Sequence, residues 1–170
     1  MATAYVGVGS NIEPETNVIR ALDLLKERVR ITAVSQIFST AAIGGPAQER
    51  YANGVFRIET DLAPRELKHL LRSIESSLGR TRTEDRYAPR TIDLDLVLYA
   101  ERVIREPGLI VPDPDLLTRA FLSAAILQIA PDLVVPGLDK PLAELVKLDP
   151  SELVVNSRLT LEAARRAHDE

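Results

Sequence analysis

The sequence contains no cysteine. Disulfides, thiolate-bound zinc, iron–sulfur clusters and thiol nucleophiles are thereby excluded. Its two histidines, His69 and His168, have no partner at a metal-ligand or triad spacing, which argues against zinc and histidine-based acyl chemistry. Tryptophan is absent, and aromatics make up only 4% of the chain. Lysine is scarce, with four against seventeen arginines. No apolar run approaches the ~20 residues that span a bilayer. The first residues have neither the basic stretch nor the apolar core of a signal peptide. The expectation is a cytoplasmic protein that engages no membrane.

What is present is a chain of 170 residues, 45% of them apolar. That length suits a single domain, 1–170, able to fold around its own core. The net charge of −4 argues against a broad nucleic-acid surface. Yet the basic residues are mostly arginine, the side chain suited to bidentate phosphate contacts.

Residues 4–9 read as a short strand, and Val18, Leu22, Leu25 and Val29 as one face of a helix. Residues 30–39 are β-branched enough for one strand, 40–50 form a loop, and 55–60 alternate as a strand. Pro64 opens a helix with the stripe Leu67, Leu70, Leu71, Ile74 and Leu78, closed by Gly79. A charged loop over 80–89 leads to a strand at 91–99. A proline-punctuated stretch then precedes a helix at 119–130, with short helices expected near Leu142 and Leu159. The order β-α-β, β-α-β predicts an α+β fold of ferredoxin-like (βαββαβ) type, an antiparallel sheet with packed helices and C-terminal helical additions.

The strand at 91–99 is the most informative. Ile92, Leu94, Leu96 and Leu98 share one face; Asp93 and Asp95 share the other, about 7 Å apart by the strand rise. Two carboxylates aimed into one cavity call for a compensating cation, and Mg²⁺ takes few carboxylates when phosphate and water complete its shell. Ordinary aspartates on a solvated strand face would leave the same pattern. Just before them stand Arg80, Arg82, Arg86 and Arg90, four arginines in eleven residues. That combination favours a nucleotide-and-metal site over a solvated charged loop. No P-loop or kinase signature is present, and Gly7-x-Gly9 lacks the third glycine of a dinucleotide loop, with Ile12 in its place.

These residues carry a resemblance. VGSNI at 8–12, YAN at 51–53, IET at 58–60, IE at 74–75, LGRTR at 78–82, RYAPRTIDLDL at 86–96, VP at 111–112, RAF at 119–121 and IAPD at 129–132 resemble, in order, the 6-hydroxymethyl-7,8-dihydropterin pyrophosphokinases. The resemblance implies an enzyme of folate biosynthesis that transfers pyrophosphate from ATP to the pterin hydroxymethyl group and releases AMP, using two Mg²⁺ ions. It implies metal ligands at Asp93 and Asp95 and catalytic roles for Arg80, Arg90 and Asp95. Glu75, Arg82, Arg90, Leu96 and Arg119 would line the nucleotide site. Thr40, Ile43, Tyr51, Asn53 and Phe121 would bind the pterin. The partners expected are two small molecules and no nucleic acid, with the protein a monomer.

The chain departs from the family pattern in places. Asp113 stands where histidine is usual, Tyr87 where tryptophan is common and Ala41 where proline is common. A carboxylate repels a phosphate, so Asp113 would turn away, bind metal or be compensated by an arginine. A catalytically weakened pterin- or nucleotide-binding module is the alternative. An RNA-binding sheet would show aromatic runs on its central strands, which are missing.

Overall fold

A computed structural model of the protein describes residues 1–42, 49–85 and 87–169. Its central strand is β1 (Ala2–Ser10), in which Ala4, Val6 and Val8 alternate with Tyr5, Gly7 and Gly9. The first three join one core and Tyr5 the other, so β1 is covered on both faces. Along its whole length it pairs antiparallel with β4 (Tyr51–Thr60). On its other side it pairs antiparallel with β5 (Asp93–Tyr99), an edge strand, with an irregularity between Tyr5 and Val6.

Between β1 and β4 lie α1 (Pro14–Lys26), β2 (Arg30–Val34) and β3 (Phe38–Thr40). The single strand expected over 30–39 is therefore two. β2 pairs with the second half of β4 and β3 with its start. Between them Ser35 leaves the ladder, its hydroxyl accepting the Val55 N–H at 2.9 Å. The crossing chain passes over Gly54, where a Cβ would lie 2.5 Å from Ile37 Cδ1 and 3.2 Å from the Gln36 carbonyl oxygen. β4 itself begins at Tyr51, four residues before the expected start.

α2 (Pro64–Ser77) follows β4 with Pro64 in its first turn, and Glu66 accepts the Ala63 N–H at 2.8 Å. Its stripe of Leu67, Leu71 and Ile74 packs with Leu22 and Leu25 of α1 under Val6, Val8, Leu94 and Leu96. The proline-punctuated stretch holds a hairpin that composition hides, β6 (Ile104–Glu106) and β7 (Leu109–Val111), turned by Gly108 at φ 73°. A 3-10 turn, Pro114–Leu116, leads to α3 (Ala120–Ile129) on the opposite face of the sheet. There Leu122, Ala125 and Ile126 bury against Tyr5, Val55 and Val97.

The tail adds a two-stranded ribbon of β8 (Val134–Val135) and β9 (Lys140–Pro141), then α4 (Leu142–Leu145), β10 (Val154–Val155) and α5 (Ser157–His168). The helices fall near the expected leucines; β10, which extends the sheet beyond β3, was not foreseen. The spatial order is β10-β3-β4-β1-β5, with β2 also on β4. The molecule is thus an α+β structure: an antiparallel sheet with α1, α2 and α5 in the core on one side and α3 on the other.

Candidate active site

Strand alternation sends Gly7, Gly9, Tyr51, Asn53, Asp93, Asp95 and Val97 to the face that α3 only partly covers. There they form the floor of a cavity of about 590 Å³. Its walls are Thr40 and Ala41 after β3, Arg80, Arg82, Tyr87 and Arg90 from the charged loop, and Asp113, Asp115, Thr118, Arg119, Phe121 and Leu122 on the other side. The two glycines that resemble the start of a dinucleotide loop are residues of this strand floor. A Cβ on Gly9 would lie 2.6 Å from Asn53 Oδ1.

The charged half is built on Glu75. At the end of α2, Gly79 adopts φ 80°, and the Arg80 N–H closes the helix on the Glu75 carbonyl at 3.1 Å. This turns the Arg80 side chain back along α2. Its Nη1 donates to Glu75 Oε1 at 2.9 Å, to Asp93 Oδ1 at 2.6 Å and to the Ile92 carbonyl at 3.2 Å. Glu75 Oε1 also accepts the Leu94 N–H at 2.8 Å, and Oε2 accepts from Arg82 Nη2 at 2.7 Å. The Glu75 side chain is 3% exposed. Burial raises its carboxyl pKa above the ordinary value, with the Leu94 N–H, Arg80 and Arg82 opposing.

Arg90 Nη1 donates to Asp93 Oδ2 at 2.7 Å, so Asp93 is held between two arginines. The Asn11 side chain accepts the Arg90 N–H at 2.8 Å, and Ser10 Oγ donates to the Thr91 carbonyl at 2.6 Å. The turn after β1 thus fixes the entry to β5.

Asp95 contrasts with Asp93. Among the described residues it has no hydrogen-bond or ion-pair partner. It opens to the cavity but sits deep among protein atoms. That setting, with the charges of Asp93, Asp113 and Glu75 and only partial relief from Arg80, pushes its pKa up to about 8. Uncompensated negative charge at a carboxylate floor is the environment that fits a divalent cation. Asp93 and Asp95 supply the oxygen donors Mg²⁺ prefers. Among the described residues no group of three or more acidic, histidine or cysteine side chains is arranged to enclose a metal, so other ligands would have to come from substrate and water.

Asp113 lines the cavity and does not turn away. Its Oδ1 caps the 3-10 turn by accepting the Asp115 N–H at 2.9 Å, and its own N–H donates to the Val97 carbonyl at 2.9 Å. Burial raises its pKa; the Asp115 N–H opposes this, with a weaker contribution from the charge of Lys68 on α2. Arg119 is paired instead with Asp115 at 3.2 Å. The arginine expected to compensate Asp113 is not paired with it among the described residues; the Asp115 N–H is its closest support.

The other half lies across β1, over β3 and β4. Asn53 Nδ2 donates to Thr40 Oγ1 at 2.6 Å, and Tyr51 and Phe121 are half-buried on the cavity wall. Burial raises the Tyr51 pKa, with Arg90 opposing. Thr40, Tyr51, Asn53, Phe121, Arg80, Arg82, Arg90, Arg119, Asp93 and Asp95 therefore share one cavity. Two expected residues stand elsewhere: Glu75 is buried behind the arginines, and the Leu96 side chain is in the core beneath α1 and α2. Ile43 and Arg86 lie outside the described residues. Asp115, Thr118 and Leu122 line the cavity without having been singled out, and Gly9, noted only in the incomplete dinucleotide loop, joins them. Glycines inside a strand pattern are the one signal that could have found any of them.

Sheet, helices and cavity define an α+β protein with an arginine- and carboxylate-lined site beside a pocket bearing two aromatic rings. Residues 5–131 match the model of 7,8-dihydro-6-hydroxymethylpterin-pyrophosphokinase (HPPK). The chain is 38% identical to the 2-amino-4-hydroxy-6-hydroxymethyldihydropteridine pyrophosphokinase of Pseudomonas aeruginosa, over 87% of this chain and 92% of that one. It is 35% identical to that of Aquifex aeolicus (85% and 90%) and 41% identical to that of Bacillus subtilis (74% and 77%). The chain belongs to the HPPK family. In fold it is similar to the wild-type HPPK-DHPS of Plasmodium falciparum crystallised with SDX-DHP, with a TM-score of 0.64 at 11% identity. That match covers 85% of this chain and 43% of the other, so this chain spans less than half of that protein's length.

Proposed function

We propose that this protein transfers pyrophosphate from ATP to the hydroxymethyl oxygen of 6-hydroxymethyl-7,8-dihydropterin and releases AMP, a step of folate biosynthesis. The observation that carries the reading is one cavity with an arginine–carboxylate cluster over β5 and Tyr51, Asn53 and Phe121 across β1. In the reaction the hydroxymethyl oxygen bonds to the β-phosphorus, the bond from that phosphorus to the α,β-bridging oxygen breaks, and AMP leaves with the electron pair.

Arg80 and Arg90 engage the triphosphate. Each already donates from Nη1 to an oxygen of Asp93, and their remaining N–H groups suit phosphate oxygens. Arg82, more exposed at 55%, and Arg119 contribute from the rim. Glu75 acts through Arg80 and Arg82. Leu96 reaches the nucleotide through its main chain on the β5 edge. Asp93 and Asp95 would hold two Mg²⁺ ions, which would offset phosphate charge and acidify the attacking hydroxyl. Asp95 takes the hydroxyl proton. Tyr51 and Phe121 stack on the flat pterin, and Asn53 supplies both donor and acceptor to its edge. Thr40 and Ile43 complete that wall.

The antiparallel order β5-β1-β4-β2 supports a ferredoxin-like sheet with C-terminal additions. We take residues 1–170 as one domain, acting as a cytoplasmic monomer. No helix among the described residues is long and apolar enough to cross a membrane.

The test is AMP release from ATP with the pterin and Mg²⁺, followed by chromatography. AMP should form in step with pterin pyrophosphate and vanish on chelation. A wild-type protein that forms none, or an Asp95→Ala protein that forms as much, overturns the reading.

A further inference from the structure

Residues 154–168 fold back onto the strand that carries Thr40. β10 pairs with β3 through Val154↔Ser39 and Val155↔Phe38. One residue further, the Asn156 N–H donates to the Ile37 carbonyl at 2.8 Å. Thr160 Oγ1 accepts the Ile37 N–H at 2.9 Å and donates its own hydrogen to the Asn156 carbonyl at 2.8 Å. Asn156 Oδ1 caps α5 by accepting the Leu159 N–H at 3.1 Å. Both peptide groups of Ile37 that face the tail are thus held by one hook at the start of α5.

The hook is itself anchored. Leu159 and Ala163 are buried in the helix-side core. Lys26 Nζ donates to the Arg166 and Asp169 carbonyls at 2.5 and 2.6 Å, and Arg166 stands 3.4 Å from Asp23. α5 is therefore fixed to α1, which is fixed to the sheet.

β3 needs such support. It is three residues long, and its far side carries the cavity wall: Thr40 accepts from Asn53 at 2.6 Å, and Arg50 binds Ser39 at both its hydroxyl and its carbonyl at 2.8 Å. So short a strand has few ladder bonds to keep it docked.

We propose that Asn156 and Thr160 are positioning residues for the pterin end of the site. They raise the docked fraction of β3, so that more of the free protein presents the Thr40–Asn53 pair already formed. This rests on the pterin reading given above. An apparent dissociation constant is the intrinsic one divided by the docked fraction. On this proposal β3 of the free wild-type protein is docked about half the time, so loss of one buried hydrogen bond, about fivefold in the docking equilibrium, lowers the docked fraction about threefold.

The experiment uses the full chain as wild type, Thr160→Val, Thr160→Ser, the double variant Asn156→Ala/Thr160→Val, and Leu161→Ala. Leu161 is 72% exposed on the same helix and serves as the control. Binding of 6-hydroxymethyl-7,8-dihydropterin in the presence of a non-hydrolysable ATP analogue is measured by calorimetry. The ATP analogue alone is measured in parallel, and amide exchange is followed over 37–40. Thr160→Val should weaken pterin binding about threefold to fivefold and the double variant about tenfold or more. Thr160→Ser and Leu161→Ala should stay within about twofold of wild type, and the ATP analogue should bind all five proteins alike. Exchange over 37–40 should quicken in step with the pterin loss, and the pterin KM should rise with kcat held. Unchanged pterin affinity in both Thr160→Val and the double variant overturns the proposal, as does equal weakening of both ligands. A wild-type protein that binds the ATP analogue but no pterin overturns the site reading instead.

Discussion

Replacing Gly9 by alanine places a methyl group on the cavity floor where none now fits. The new Cβ would stand 2.6 Å from Asn53 Oδ1, with Tyr51 Cδ1 at 4.0 Å. Carbon and oxygen in contact need about 3.2 Å or more, so the Asn53 amide must move by about 0.6 Å. That amide is tied to Thr40 Oγ1 by its Nδ2 at 2.6 Å, so moving it weakens that bond. The fold loses about 1 kcal/mol with the hydrogen bond and regains about 0.5–1 kcal/mol from replacing a strand glycine. Global stability should therefore change by less than about 1 kcal/mol. Pterin recognition should suffer more. One or two misplaced amide hydrogen bonds amount to about 1–3 kcal/mol, or roughly 5- to 150-fold in the dissociation constant. The ATP analogue, bound across β1, should be held as before. Paired urea denaturation and calorimetry with each ligand separate the effects. Wild-type pterin affinity in Gly9→Ala would refute the placement of Asn53 as a pterin contact. Equal loss of both ligands would refute the division of the cavity into two ends.

Three further outcomes follow from other parts of the molecule. Asp95→Asn keeps the shape of the floor but removes the uncompensated carboxylate, and AMP release should fall by at least about a hundredfold; a smaller loss would place the metal elsewhere. Glu75→Gln keeps one acceptor oxygen but removes the charge and turns the other oxygen into a donor facing an arginine or the Leu94 N–H, so the fold should lose about 3 kcal/mol or more in urea. ATP-analogue affinity should also drop, and a wild-type value in the same titration would show that the arginines need no anchor. Gly54→Ala drives a methyl group into Ile37 and the Gln36 carbonyl and should lower stability in urea by about 1–3 kcal/mol; an unaltered unfolding midpoint would show that the crossing chain is free to shift.

The two aspartates were legible because strand alternation is local, and β5 keeps it from Asp93 to Val97. The helices were legible where an apolar stripe met a proline or glycine stop, as between Pro64 and Gly79. What escaped depends on distant contacts. Residues 30–39 have strand propensity throughout, but Ser35 finds a better partner in Val55 and breaks the ladder. β10 is two residues long and exists only because β3 offers an edge. Glu75 reads as a helix residue beside a leucine stripe, and only packing of α2 against β5 turns it into the anchor of two arginines. Asp113 could be named as an odd charge from sequence, but its place in the cavity wall depends on its N–H meeting the Val97 carbonyl of another element. The resemblance supplied the two-ended site; the alternating pattern alone supplied the carboxylate end.

The outer rim of β5 has a second consequence. An edge strand offers free backbone groups to any passing chain, and here the Leu94 N–H is taken by a Glu75 carboxylate and the Val97 carbonyl by the N–H of Asp113. The Asp113 bond is made by its main chain and survives substitution, but the Glu75 bond is made by the carboxylate that also anchors Arg80 and Arg82. One side chain thus serves both the charged cavity and the closure of this border to strand addition. A variant library that scores only activity at position 75 would confuse a damaged catalyst with one lost to self-association.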